Sequence, residues 1–410
     1  MRFAAVLWIW FLLAAVLPAH SAPRPTVTVG MTAALSGPAR SLGQNMRLGV
    51  EAAFAEGNLS QPACAVRLAA RDDGYDPAAA AANAKALIED EQVVALLGSV
   101  GTPTALVTAA LAQERRVLFF APLTGAALVR PKPDSRYLIH VRASYAEETA
   151  LMVKELLAAG LKAQDIAFFT QDDAFGDDGF SGALQALKSH DPAAADHVLH
   201  VRYARNTVAV EGAVVELLKA RRAPRAIVMV AANRPAAAFI DLARQLFPKT
   251  LFLALSFVDG QALAARLDPG MEGVIVSQVV PPSGQWPPQE TVQAESAPPI
   301  LDAFRQALQL MSQQGGQAFN LPEVAASAVA LEGYLAGRMF LLGLERAADC
   351  TDRESVIDGL LSLGAFDVGL GVPLYLGPAS HQASHTVWPS YIAGGAVHPM
   401  TWQDLGRWVH

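Results

Sequence analysis

Hydroxyl-bearing residues set in glycine turns directly after short apolar runs are where this sequence can do chemistry. Leu96-Leu97-Gly98-Ser99-Val100-Gly101-Thr102 is one such stretch, and Phe119-Phe120-Ala121-Pro122-Leu123-Thr124-Gly125 is a second. A third, Ile166-Ala167-Phe168-Phe169 followed by Gln171-Asp172-Asp173-Ala174-Phe175-Gly176, carries an aromatic ring instead. Strand, polar turn, helix is the βα junction of a parallel sheet, and such sheets take ligands at the carboxyl ends of their strands. Free N–H groups at a helix start receive an anion, and the hydroxyls of Ser99, Thr102 and Thr124 add hydrogen bonds. The same residue types also cap helices, so both roles stand open for all three.

This is the chemistry of non-covalent recognition. A nucleophile with its base and orienting group is not assembled. His190, His197 and His200 gather around one predicted strand, and His381 and His385 lie in the tail, none beside a nucleophile turn. His381 and His385 have the spacing of helix metal ligands, but Gln382-Ala383-Ser384 between them is turn-like. Gly30 and Gly37 do not match the dinucleotide fingerprint. The chain is read as a binder and not an enzyme, with no cofactor and no metal.

The elements that hold these turns alternate regularly. Thr26 to Met31 reads as a strand, Gln44 to Glu56 as a helix with Met46, Val50 and Phe54 on one face, and Ala65 to Ala70 as a strand. Pro77 opens an alanine-rich helix, where its missing N–H is not needed. Strands at 93–97 and 117–120 flank a helix from Thr104 to Gln113. A second run starts after His140-Val141-Arg142 with a helix at 146–159 and continues through strands at Ile166, 197–203, 226–230 and 251–255. A strand from Gly273 to Val280, a Pro-rich loop at 281–299 and helices at 300–313, 322–344 and 353–361 follow, before a tail of short strands and turns. Such alternation predicts an α/β fold with parallel sheets, and 410 residues exceed one ordinary core.

Composition narrows the class. Hydrophobic content of 52% with 17% charged residues is globular. A net charge of −7 offers no basic face for nucleic acid. Arg2, the apolar run from Phe3 to Leu17, Pro18 and Ala19-His20-Ser21 read as a leader removed after Ser21. The other reading is an anchor, but the run falls short of the ~20 residues that span a bilayer. Export would place Cys64 and Cys350 in an oxidising space, where a disulfide and two buried thiols both remain open.

Taken in order, Leu35-Ser36-Gly37-Pro38, Asp72-Asp73 with Asp76-Pro77, Leu97-Gly98-Ser99, Pro122-Leu123-Thr124-Gly125, Asp173-Ala174-Phe175-Gly176 and Leu331-Glu332-Gly333-Tyr334 form a set. The set resembles the type I periplasmic binding proteins, in their leucine/isoleucine/valine-binding branch. The resemblance implies two Rossmann-like lobes with parallel-rich sheets, joined by a three-crossover hinge. It puts 26–141 and 257–365 in lobe 1, and 142–256 and 366–400 in lobe 2. It further implies a monomer that captures an amino acid or related small acid or amide, delivers it to an ABC-transporter permease, and works in the periplasm. A sensor docking on a membrane receptor is the alternative.

The site residues expected on this basis are Ser36, Ser99, Gly101, Thr102, Thr124, Gly125, Phe175 and Asp259. Leu42 joins Ser36 at the mouth, and Phe175 is either a lid over the ligand or core. Asp173 is expected to brace its turn, and Asp259 either caps a helix or meets the ligand. The sequence departs from the amino-acid binders at Asn233-Arg234-Pro235-Ala236, where they carry an acidic residue for the ligand's ammonium.

Overall fold

The computed structural model describes residues 24–60, 63–131, 135–195, 197–283, 297–314 and 318–409. The leader expected at 1–21 and most of the Pro-rich loop expected at 281–299 lie outside them.

The first unit is built from β1 (Thr26–Ala33), α1 (Arg40–Leu59), β2 (Ala65–Asp72), α2 (Pro77–Glu89), β3 (Ala95–Leu97), α3 (Thr102–Glu114), β4 (Leu118–Phe120) and β5 (Leu138–Ile139). Its strands pair in parallel in the order β2-β1-β3-β4-β5. β3 and β4 are buried throughout, as strands covered by helices on both faces must be. α2 starts as its sequence requires, with the Asp76 carboxylate accepting from Ala78 N and Ala79 N and Pro77 in the first turn.

The second unit takes α4 (Tyr145–Ala158), β6 (Ile166–Gln171), α5 (Ala174–His190), α6 (Pro192–Ala195), β7 (Leu199–Tyr203), α7 (Glu211–Leu218), β8 (Ala226–Val230), α8 (Asn233–Leu246), β9 (Leu251–Ala254), α9 (Gly260–Ala264) and β10 (Val274–Gln278). The chain then returns to the first unit with α10 (Pro299–Gln313), α11 (Leu321–Ala326), α12 (Ala328–Arg346) and α13 (Arg353–Leu361). A hairpin of β11 (Gly364–Phe366) and β12 (Leu374–Leu376) precedes β13 (Trp388–Ala393) and β14 (Ala396–Pro399). The second sheet runs β14-β13-β10-β9-β8-β6-β7, antiparallel only where β13 joins β10 and β14.

Two boundaries differ from expectation. The segment from Phe257 to Gln278 does not belong to the first lobe, because β10 pairs in parallel with β9. The second crossover therefore falls after Gln278 and not at Ser256. Nothing local in Val274–Gln278 distinguishes the two sheets; β13, arriving from more than a hundred residues later, is its other neighbour. The helix expected at 322–344 is two, since Ser327 leaves the helical region at φ −78, ψ 121 and caps α12 by accepting from Ala330 N.

α12 lies along α1 at a close approach. A Cβ on Gly49 would fall 1.9 Å from the Ala330 carbonyl oxygen, and one on Gly333 would fall 2.4 Å from that of Met46. Leu331-Glu332-Gly333-Tyr334 thus belongs to a helix crossing. Cys64, after α1, and Cys350, after α12, form a disulfide with Cα atoms 6.3 Å apart. It ties the ends of these two helices together and decides between the two readings of the cysteines.

Candidate functional site

The carboxyl ends of both sheets face one gap, and the two units touch across it. Gln171 Nε2 donates to the Tyr75 hydroxyl at 3.2 Å, and Ala127 N to Asp178 Oδ1 at 2.9 Å. Asn233 Nδ2 reaches Ser41 Oγ at 3.4 Å and Asn45 Nδ2 reaches Asp259 Oδ2 at 2.9 Å. The lobes are closed on each other.

The wall from the first lobe is the pair of hydroxyl turns. Beyond β3 the backbone turns through Gly98 at φ 72 and Gly101 at φ 91, conformations that glycine adopts without strain. Space also demands glycine at 101, where a Cβ would sit 2.1 Å from Tyr75 Cε2. Val100 and Leu123 bridge the two turns, which brings Thr102 Oγ1 within 2.8 Å of Thr124 Oγ1. Gly101 is the N-cap of α3 and no side chain caps that helix, so its first-turn N–H groups are open to an acceptor. Ser99 beside it is fully buried, and its Oγ has no hydrogen-bond partner. A buried hydroxyl without a partner costs about 1–3 kcal/mol, which a ligand atom would recover.

The second lobe supplies rings. Phe175 is packed 5.2 Å from Tyr145 and 4.6 Å from Phe257, and Tyr75 of the first lobe continues the series at 6.3 Å from Phe257. Tyr75 is held at φ 65, a left-handed conformation costing about 1–2 kcal/mol in a non-glycine residue. Such outliers cluster at working sites. Burial, with the Asp173 charge nearby, pushes the Tyr75 hydroxyl pKa far up, so it meets the cleft as a neutral phenol. Asp173 braces its turn by accepting from Phe175 N at 3.0 Å and from Gln171 Nε2 at 2.8 Å. Tyr203 in turn donates to Gln171 Oε1 at 2.9 Å.

Charge is concentrated behind these walls. Arg142, in the first crossover, is buried between Glu148 of α4 and Glu332 of α12, with Nη2 at 3.0 Å from the former and Nη1 at 3.5 Å from the latter. Burial alone would lower the Arg142 pKa, but the two carboxylates hold it above its usual value. Glu148 also accepts from Ser256 N at 2.9 Å, Ser256 Oγ at 2.7 Å and Ser277 Oγ at 2.7 Å. Asp73, beneath Tyr75, accepts from Tyr75 N at 2.8 Å and Thr32 Oγ1 at 2.9 Å, and burial raises its pKa to about 6.

The structure brings Ser99, Gly101, Thr102, Thr124, Gly125 and Phe175 together; a Cβ on Gly125 would meet Tyr145 N at 2.5 Å. Ser36 lies at the exposed rim, its N–H donating to Asp72 Oδ1 at 3.2 Å. Leu42 is not in the first loop at all: it is part of α1 and of the core. Asp259 caps α9, accepting from Gln261 N at 3.2 Å and Ala262 N at 3.4 Å. Its other oxygen takes Asn45 Nδ2 and Ser327 Oγ, which makes it a brace between lobes. Sequence reasoning missed Tyr75, Tyr145 and Phe257. Tyr75 alone had a visible signal, as a large ring in an Asp-Gly turn.

The histidines do structural work. His381 Nδ1 meets the Ser135 carbonyl at 2.8 Å, and His385 Nδ1 lies 2.5 Å from Glu147 Oε1. His200 stacks on Phe180, and burial lowers its pKa to about 4. No group of three potential metal ligands occurs among the described residues, and none of their helices is long and apolar enough to cross a membrane.

Two α/β lobes, a three-strand hinge and a closed gap between strand ends define a two-lobed solute-binding protein. A family model described as periplasmic binding protein matches residues 26–396. The chain belongs to that family, in its type I, leucine/isoleucine/valine-binding branch. A possible leucine/isoleucine/valine-binding protein from Rhodopirellula baltica SH 1 is 38% identical, with TM-score 0.84 over 94% of this chain and 99% of that one. A substrate-binding periplasmic protein from Ralstonia solanacearum is 25% identical, with TM-score 0.76 over 91% of this chain and 100% of that one. An R. palustris solute-binding protein in complex with 4-hydroxybenzoate, 18% identical, shares the fold at TM-score 0.72 over 92% of this chain and 95% of that one. Among curated proteins there is no match to this chain.

Proposed function

We propose that this protein is the extracytoplasmic binding component of an ABC transporter. It captures an amino acid or related small acid or amide between its lobes and hands it to a membrane permease. The observation that carries the reading is the Ser99 Oγ, buried and without a partner beside the uncapped start of α3. An acidic or carbonyl oxygen placed there accepts from Ser99 and from the helix N–H groups together. Thr102 and Thr124 extend the same donor surface, and the rings of Tyr75, Phe175 and Phe257 cover an apolar body. Because Ser99 belongs to one lobe and Phe175 to the other, a ligand touching both favours the closed state over the open one, as a population shift requires.

A thermal-shift screen of amino acids, amides and aliphatic and aromatic acids against the mature chain tests this. A ligand of this site raises the melting temperature. Its affinity should fall about tenfold in Ser99→Ala, equivalent to one lost hydrogen bond of about 1.4 kcal/mol. Equal affinity in Ser99→Ala, Thr124→Ala and Phe175→Ala would move the site elsewhere. Loss of solute uptake in cells lacking the protein separates a transport role from a sensor.

A further inference from the structure

Resting on that reading of the cleft, we infer that the ligand is a carboxylic acid with an apolar body and no ammonium group. The argument is a count of open donors against open acceptors. On the donor side, Ser99 Oγ is unpartnered and fully buried, and the N-terminus of α3 next to it has no side-chain cap. Both favour an anionic oxygen.

On the acceptor side the carboxylates around the gap are already engaged. Asp259 takes Gln261 N and Ala262 N on one oxygen, and Asn45 and Ser327 on the other. Asp73 takes Tyr75 N on Oδ1 and Thr32 on Oδ2. Asp173 takes Phe175 N on Oδ1 and Gln171 on Oδ2. Glu148 and Glu332 face Arg142. At the start of α8 the residue is Asn233, whose Oδ1 accepts Asp259 N at 2.8 Å. An ammonium entering this closed gap would meet phenol and phenyl rings and no free carboxylate among the described residues. Desolvating such a charge without a partner costs several kcal/mol, whereas a carboxylate meets donors that lack an acceptor. The side chain of the ligand then lies on Tyr75, Phe175 and Phe257.

Calorimetric titration with pairs that differ only by the amino group tests the inference: 4-methylpentanoate against leucine, and 3-phenylpropanoate against phenylalanine. The expected result is that at least one acid binds 30-fold or more tighter than its amino partner. Ser99→Ala should weaken that acid about tenfold with its melting temperature unchanged. An amino acid that binds as tightly as its acid, or tighter, overturns the inference and leaves the cleft reading standing. If Asp173→Asn then abolishes that binding, Asp173 is the ammonium's partner. A hit confined to amides or other neutral solutes overturns the inference alone. No binding by any member of either pair or of the wider screen overturns both.

Discussion

The hinge and the cleft lie side by side and obey opposite rules. At the hinge, Glu148 is buried yet receives Arg142, both donors of Ser256, and Ser277. The charge is fully answered from within the chain, and Arg142 links α4 to α12 across the lobes. In the cleft, a few residues along the chain, groups of modest polarity are left open: Ser99 has no partner and α3 has no cap. A folded chain rarely leaves buried polar atoms unpaired. The contrast therefore separates what holds the molecule together from what waits for a solute. The strongest charges belong to the former, and searching this protein for its ligand by its charged residues would lead to the hinge.

The contrast breaks most severely at Glu148. Glu148→Ala leaves Arg142 short of one counter-charge and three donors facing a void. The expected loss is about 3–5 kcal/mol in chemical denaturation, and a loss under about 1 kcal/mol would mean the network is not what holds the hinge. Gly101→Ala comes next. It places a Cβ 2.1 Å from the Tyr75 ring at φ 91, so about 1–3 kcal/mol of stability and most ligand affinity should go together.

Asp73 sits between the two regimes, buried with only two neutral donors. Its folded pKa of about 6 exceeds the unfolded value, so the folded chain holds the proton more tightly. Its contribution is then most favourable below pH about 4 and declines as pH rises through about 6. Asp73→Asn should flatten that decline by on the order of 1 kcal/mol, read from denaturation midpoints between pH 4 and 8. A decline unchanged in the variant would assign it to another group.

Much of this was legible in the sequence because it is local. Hydrophobic period and turn chemistry located the strands, the hydroxyl turns at Ser99 and Thr124, and the Asp173 brace before Phe175, since each depends on residues a few positions apart. The membership of β10, the partners of Asp259 and the pairing of Cys64 with Cys350 were not legible. Each is a choice among distant segments that look alike: β10 is apolar enough for either sheet, and Asp259 caps its helix whether or not Asn45 and Ser327 arrive. Tyr75 and Phe257 became cleft residues for the same reason, as their rings meet only when two lobes close. The sequence by itself determined the alternating elements and the turns that end them, because backbone sterics and short-range hydrogen bonds act within the turn. Only the tertiary structure decided which turns share a gap and which polar atoms remain open there, because that depends on the packing of segments far apart along the chain.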